Sequence, residues 1–134
     1  MNIRPIINVT CAIIIKNNRV LAAQRSEKMS LPLKWEFPGG KIDTDESAED
    51  CIQREIKEEL NISIQIIQRL KDYSHNYENV TINLIPFIVE YIGGAITLAE
   101  HKTAIWFDKK DLFALDWAAA DIPILHDFIK NKDA

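Results

Sequence analysis

Cysteine is scarce in this chain. Cys11 and Cys51 are the only two among 134 residues; they stand far apart on apolar patterns, and neither belongs to a CxxC or Cys/His cluster, so neither a disulfide framework nor a zinc site is indicated. Buried free thiols in a reducing cytoplasm are the expectation. Histidine is nearly as rare, and His75, His101 and His126 are scattered and read as incidental. Long apolar runs are missing too: no stretch approaches membrane-spanning length. Residues 1–11 lack the cationic region, apolar run and small-residue cleavage site of a secretory signal, which also points to a cytoplasmic location. Basic clusters are absent. With 16 Lys and Arg against 20 Asp and Glu the net charge is −4, and an acidic surface repels nucleic-acid polymers and anionic membranes. With no repeat, linker or low-complexity segment, one domain over residues 1–134 is expected.

What remains is an ordinary globular pattern. Residues 5–16, rich in Ile and Val, meet Asn17-Asn18 and continue over 19–24, which reads as a β-hairpin. Residues 26–34 are polar, contain Pro32 and read as loop. Trp35-Glu36-Phe37 is a short strand that Pro38-Gly39-Gly40 breaks, and residues 41–46 are loop again. Ser47 is a good N-cap, with Glu49 and Asp50 in the first turn of a helix running to about Leu60; Asn61 stands where a left-handed residue ends it. Strands are expected over 62–70, 80–91 and 103–107, Gly93-Gly94 ending the second and Pro86 sitting awkwardly inside it. Asp121 is placed as the cap of a last helix running to about Lys130, with Pro123 in its first turn.

The first helix carries charge where charge is costly. Projected at about 100° per residue, Ala48, Cys51, Ile52, Ile56 and Leu60 form one apolar arc, while Asp50, Gln53, Arg54 and Lys57 fall opposite. Glu55 and Glu59 project into the apolar arc, and Glu58 sits at its edge. Three carboxylates at i, i+3 and i+4 repel one another, and desolvation adds a larger penalty, unless they are protonated or bind a cation. Carboxylate oxygens with no Cys or His beside them in sequence are hard ligands, suited to Mg²⁺ or Mn²⁺. Such a cation neutralises phosphate oxygens and lowers the pKa of a bound water, as hydrolysis of a polyphosphate requires.

Gly40, five residues, Glu46, seven residues, then Arg54-Glu55-Ile56-Lys57-Glu58-Glu59-Leu60-Asn61-Ile62 resembles the box of the Nudix hydrolases. Asn61 departs from it, standing where that family usually has Gly; both residues tolerate a left-handed helix end. The likeness implies an α+β fold, an α/β/α sandwich in which a mixed, curved β-sheet is flanked by helices. It also implies that Glu55, Glu58 and Glu59 ligate the metal with the Gly39 carbonyl, and that Arg54 holds a glutamate by a salt bridge. Glu46 is implied as a residue behind the ligands or against the water, and the general base is left between Glu55 and the loop residue Glu100.

Leu21-Ala22-Ala23-Gln24-Arg25, the segment 34–41 and Ala119-Ala120-Asp121-Ile122-Pro123 are similar to the MutT-type pyrophosphohydrolases, the last to their CTP pyrophosphohydrolase branch. That similarity implies Arg25 as a phosphate contact, Trp35, Phe37 and Trp117 as a base pocket, and Asp121 as the base-reading residue. An ionised carboxylate only accepts hydrogen bonds, which suits the cytosine N4 amino group better than oxidised guanine. The expectation is an Mg²⁺-dependent (Mn²⁺ as substitute) nucleoside triphosphate pyrophosphohydrolase, monomer or homodimer, acting on CTP, dCTP or modified pyrimidine nucleotides. The rivals are an 8-oxo-dGTP diphosphatase, hydrolysis of another nucleoside diphosphate derivative, and a non-catalytic nucleotide sensor.

Overall fold

The run Cys11-Ala12-Ile13-Ile14 sets the layout: all four residues are at most 2% exposed. Successive side chains of a strand point to opposite faces, so an uninterrupted apolar run requires both faces to be covered. In the computed structural model, which describes residues 4–130, these four lie in strand β1 (Ile6–Lys16). The ends of the expected 1–134 domain, residues 1–3 and 131–134, lie outside the described residues. Ala12 and Ile14 face helix α1 (Ala48–Leu60) and pack with Ile52, Ile56 and Leu60. Cys11 and Ile13 belong to the opposite core, with Ile124, Leu125 and Phe128 of helix α2 (Ile122–Lys130). The arrangement is the α+β sandwich expected: one mixed sheet with a helix on each face.

The remaining strands are β2 (Arg19–Gln24), β3 (Trp35–Glu36), β4 (Gly39–Lys41), β5 (Ser63–Arg69), β6 (Tyr73–Asn76), β7 (Thr81–Gly93) and β8 (Thr103–Asp108). Their order is β3-β2-β1-β7-β5, with β4 on β1, β6 on β7 and β8 on β2. Among the described strands β1 and β7 are the pair that runs parallel, from Ile6 opposite Thr81 to Ile15 opposite Glu90. The Asn17-Asn18 turn has positive φ at both residues (50° and 65°), the primed-turn geometry that matches the twist of a two-residue hairpin. Pro86 is tolerated because it lies where β7 changes partner from β6 to β5. Its carbonyl accepts from Leu70 N–H at 2.9 Å, so its lack of an amide proton falls at that same break.

The structure revises the reading of Pro38-Gly39-Gly40 and of Asp121 and adds elements that the sequence did not announce. Pro38-Gly39-Gly40 does more than break a strand, because residues 39–41 pair with Val9–Cys11 as β4. A Cβ on Gly39 would lie 2.0 Å from the Thr10 carbonyl oxygen, so the close approach of two backbones requires glycine there. The polar segment Tyr73–Asn76, too short and polar to be read as a strand from sequence, forms β6 on the edge of β7, with Tyr73 and His75 half-buried and Ser74 and Asn76 exposed. Two 3₁₀ turns, Lys109–Ala114 and Ala119–Asp121, were also not foreseen. Asp121 closes the second of these immediately before α2, and its carboxylate accepts from the Phe37 N–H at 2.8 Å rather than serving as a simple helix cap. Among the described residues no helix is long and apolar enough to cross a membrane.

Burial on both faces makes β1 sensitive to truncation. Ile14→Ala, at a position with 0% exposure, is expected to cost about 2–5 kcal/mol. Ile6→Ala, at 69% exposure on the same strand, should cost less than about 0.5 kcal/mol. Urea denaturation of the two variants checks this.

Candidate active site

Helix α1 is fixed at both ends by its own sequence. The Ser47 side chain accepts from Asp50 N–H, and Asn61 takes the left-handed conformation (φ 59°, ψ 33°) with its N–H bonded to the Lys57 carbonyl. The carbonyls of Glu59 and Leu60, without helical partners, are satisfied by the chain that leaves β7: Thr97 N–H donates to Leu60 at 3.0 Å and Ala99 N–H to Glu59 at 3.1 Å. Lys102 N–H then donates to Gln24 at 2.9 Å. Segment 94–102 is thereby pinned between α1 and β2, and Glu100 and His101 are carried to the inner face of α1.

Arg54 is the hub of the carboxylates. The projection put it on the water-facing side, but its side chain is only 27% exposed and lies back along α1. Nε and Nη2 grip Glu46 at 2.7 and 2.9 Å, and Nη1 reaches Glu55 at 2.9 Å and Glu58 at 3.1 Å. That grip, with the Asp43 N–H, holds the Glu46 carboxyl down at about 2 and raises Arg54 above its ordinary value. The three helix carboxylates differ in placement: Glu55 and Glu59 are 15% and 20% exposed, whereas Glu58 is 59% exposed and reaches the group through Arg54. Gly40 of β4 makes room for Glu55, since a Cβ there would meet the Glu55 carboxylate at 2.3 Å.

Glu59 lies deepest. Burial first, then a hydrogen bond with Glu55 and the charges of Glu36, Glu55 and Glu100, push its carboxyl up from 4.5 to about 9. Its Oε2 is a buried atom with no hydrogen-bond partner. A carboxyl so placed, with other carboxylates around it, is stabilised as an anion only by a cation beside it. The donor set suits a hard divalent ion: the candidate ligands are oxygens, and one of them is orphaned. Among the described residues no three His, Cys, Asp or Glu side chains form a ready cage, so Glu55, Glu58 and Glu59 are neighbours on α1 without being gathered around one point.

A cavity of about 480 Å³ is lined by Glu59 but not by Glu55 or Glu58. Gly39, Arg25, Glu59, Glu100, Phe37 and Asp121 all line it. Arg25 is anchored rather than loose, with Nη1 2.8 Å from Glu36 Oε1 and Nη2 3.0 Å from the Ser30 hydroxyl. Away from the carboxylates the wall is apolar, with Val9, Cys11, Ile82 and Leu84 among its residues and Tyr77 beside them. Trp35 and Trp117 stand outside it. Trp35 packs edge-on against Phe107 at 5.5 Å, and Trp117 lies against Phe37 at 4.7 Å while its indole N–H donates to the Leu112 carbonyl.

A family model described as NUDIX domain matches residues 5–128. The chain belongs to the Nudix family. CTP pyrophosphohydrolase of Escherichia coli (strain K12) is 31% identical over 128 residues, 96% of this chain and 95% of that protein. The 8-oxo-dGTP diphosphatase of the same strain is 28% identical over 110 residues, 82% of this chain and 85% of that one. The solution structure of MutT, a Nudix hydrolase of methicillin-resistant Staphylococcus aureus 252, superposes with a TM-score of 0.77 at 39% identity, covering 96% of this chain and 98% of that one. The protein is a Nudix hydrolase, and hydrolases of this family generally use divalent metal ions.

Two residues of this Nudix site escaped sequence reasoning. Glu36 joins Arg25 to His101, and His101, read as incidental, has a side chain only 2% exposed between Glu36 and Glu59. The available signal was adjacency: Glu36 lies between two aromatics implied in the base pocket, and His101 follows Glu100 directly.

Asp121 sets a pH dependence. Burial first, then the charge of Glu36, push its carboxyl from 3.8 to about 8, against the opposing pull of the Phe37 N–H and Arg25. The unfolded carboxyl ionises near 3.8, so from there to about 8 the folded state holds the extra proton and stability falls as pH rises. Asp121→Asn should therefore melt above the parent at pH 8, the difference shrinking towards pH 4. Calorimetric scans across that range test this, and a difference independent of pH would contradict it.

Proposed function

We propose that the protein is an Mg²⁺-dependent nucleoside triphosphate pyrophosphohydrolase, converting a (d)NTP and water to (d)NMP and pyrophosphate, with CTP or dCTP as preferred substrate. The observation that carries this reading is the cavity's two kinds of lining: carboxylates, one of them with an orphaned oxygen, and apolar side chains together with the buried Asp121. A nucleotide divides in the same way, into a polyanionic tail and a flat base. Glu55, Glu58 and Glu59 with the Gly39 carbonyl would hold Mg²⁺, or Mn²⁺ in its place. Bound there, the ion would neutralise phosphate oxygens and acidify a water. Glu55 is the favoured acceptor of that water's proton, Glu100 the alternative, and Arg54 and Glu46 keep Glu55 in place. Arg25, seated by Glu36, is turned to account as the phosphate contact.

At the base, Asp121 is not the ionised acceptor that the sequence suggests. Held as the acid near neutral pH, Asp121 offers a donor as well as an acceptor, which fits the adjacent N3 and N4 amino group of cytosine. The same pair also fits the O6 and protonated N7 of 8-oxoguanine, and this favours a second reading, an 8-oxo-dGTP diphosphatase. What supports cytosine is the near full-length likeness to a CTP pyrophosphohydrolase, 31% over 96% of the chain.

Pyrophosphate release from CTP, dCTP, 8-oxo-dGTP and the ordinary dNTPs, with and without Mg²⁺, tests the proposal. The highest kcat/KM is expected for CTP or dCTP, with no turnover when metal is removed. Glu55→Gln and Glu59→Gln should each lower kcat roughly 100-fold or more while the fold stays intact. Near-normal turnover in both would overturn the assignment, and stabilisation by nucleotide without turnover would mark a sensor.

A further inference from the structure

His101 has no place in the reading above, yet it is among the most enclosed polar side chains in the molecule. Its side chain is 2% exposed, and its backbone is held on both sides by the Ala99 and Lys102 amides. Ring Nε2 lies 2.7 Å from Glu36 Oε2, a hydrogen bond in which the ring N–H donates to the carboxylate. The other oxygen of Glu36 is taken by Arg25 at 2.8 Å. Ring Nδ1 faces Glu59 Oε2 at 3.6 Å. These two atoms are the buried side-chain nitrogen and oxygen without a hydrogen-bond partner among the described residues, and they face each other just beyond bonding length. Contacts of this kind are often long before a site is loaded and tighten when it is.

We propose that His101 is a positioning residue that fixes Glu59 for cation binding through Nδ1 and, through Glu36, ties it to Arg25. The inference rests on the reading of Glu59 as a metal ligand. The ring spans the distance between α1, which carries the carboxylates, and the β2–β3 edge, which carries Arg25. Partners behind a ligand fix its orientation, and their loss commonly weakens metal binding by roughly 10–100-fold.

Two near-isosteric variants separate this role from simple packing. Gln places an amide nitrogen near ring Nε2 and nothing at Nδ1; Asn places its amide near Nδ1 and nothing at Nε2. Mn²⁺ affinity of the substrate-free full chain, read from the free-Mn²⁺ EPR signal, is compared with the melting temperature without metal. His101→Gln is expected to lose roughly tenfold or more in Mn²⁺ affinity. His101→Asn, which forfeits the 2.7 Å bond, should melt lower than His101→Gln yet keep more of the affinity. Glu36→Gln, which leaves His101 in place but weakens its seat, should weaken Mn²⁺ binding in the same direction and raise KM for the triphosphate. Affinities within about twofold of the parent in all three variants, or a loss in Asn as large as in Gln, would overturn the proposal. A parent chain that binds no Mn²⁺ would instead overturn the metal reading on which it rests.

Discussion

The site depends on one electrostatic constraint: more carboxylates converge on the inner face of α1 than there are cations to meet them. Arg54 serves Glu46, Glu55 and Glu58, all on one side. Arg25 is engaged by Glu36. Glu59, enclosed by the charges of Glu55, Glu36 and Glu100, has neither. Leaving such a group ionised in a partly dry site is unfavourable by several kcal/mol in general. The fold therefore keeps it protonated, and a divalent ion would both replace that proton and draw the neighbouring oxygens into one shell. Much of the surrounding architecture keeps this imbalance in place: Gly40 admits Glu55, Asn61 ends the helix, and segment 94–102 closes over the last turn.

Rigidity comes from the layer beneath. β1 is covered on both faces, and it pairs with β7 along nearly its whole length while sharing its other edge between β2 and β4. β4 is the short piece that matters for chemistry. It brings Gly39 and Gly40 within backbone contact of Thr10, whose hydroxyl donates to the Gly40 carbonyl at 3.2 Å and also meets Cys51 Sγ of α1 at 3.2 Å. The first cysteine lies in the cavity wall and the second on α1, both buried and unpaired, so both act as small packing groups.

Much of this was legible in the sequence, because local chemistry decided it. The α1 boundaries followed from Ser47 and Asn61, and the apolar arc Ala48, Cys51, Ile52, Ile56, Leu60 is the buried set observed. The misplaced charge of Glu55 and Glu59 was visible as a violation of helical period. What was not legible depends on contacts distant in sequence. β6 alternates over only four polar or aromatic residues, too few to announce a strand without its pairing to β7. Arg54 is drawn from the water-facing side by Glu46, eight positions away. His101 looks like any loop histidine until the Thr97 and Ala99 amides bind the end of α1 and carry it inward. Trp35 and Trp117 carry the right chemistry for stacking on a base, but their packing against Phe107 and Phe37 commits them to the core.

Two parts of the cavity lining solve opposite problems with the same side chain type. Beside α1, carboxylates are crowded so that an added cation is strongly favoured. Elsewhere in the lining, burial first and then the charge of Glu36 favour the neutral form of Asp121, which serves as a hydrogen-bonding group. A polyanion entering without a cation would meet Glu36, Glu59 and Glu100, offset only in part by Arg25 and Lys41. A nucleotide that brings a divalent ion on its phosphates removes both penalties at once, its own charge and that of the glutamates. On the proposed reading, repulsion between bare substrate and bare site would act as a selector: the metal complex of the nucleotide would be the species the cavity accepts, with base recognition at Asp121 following once the tail has been neutralised.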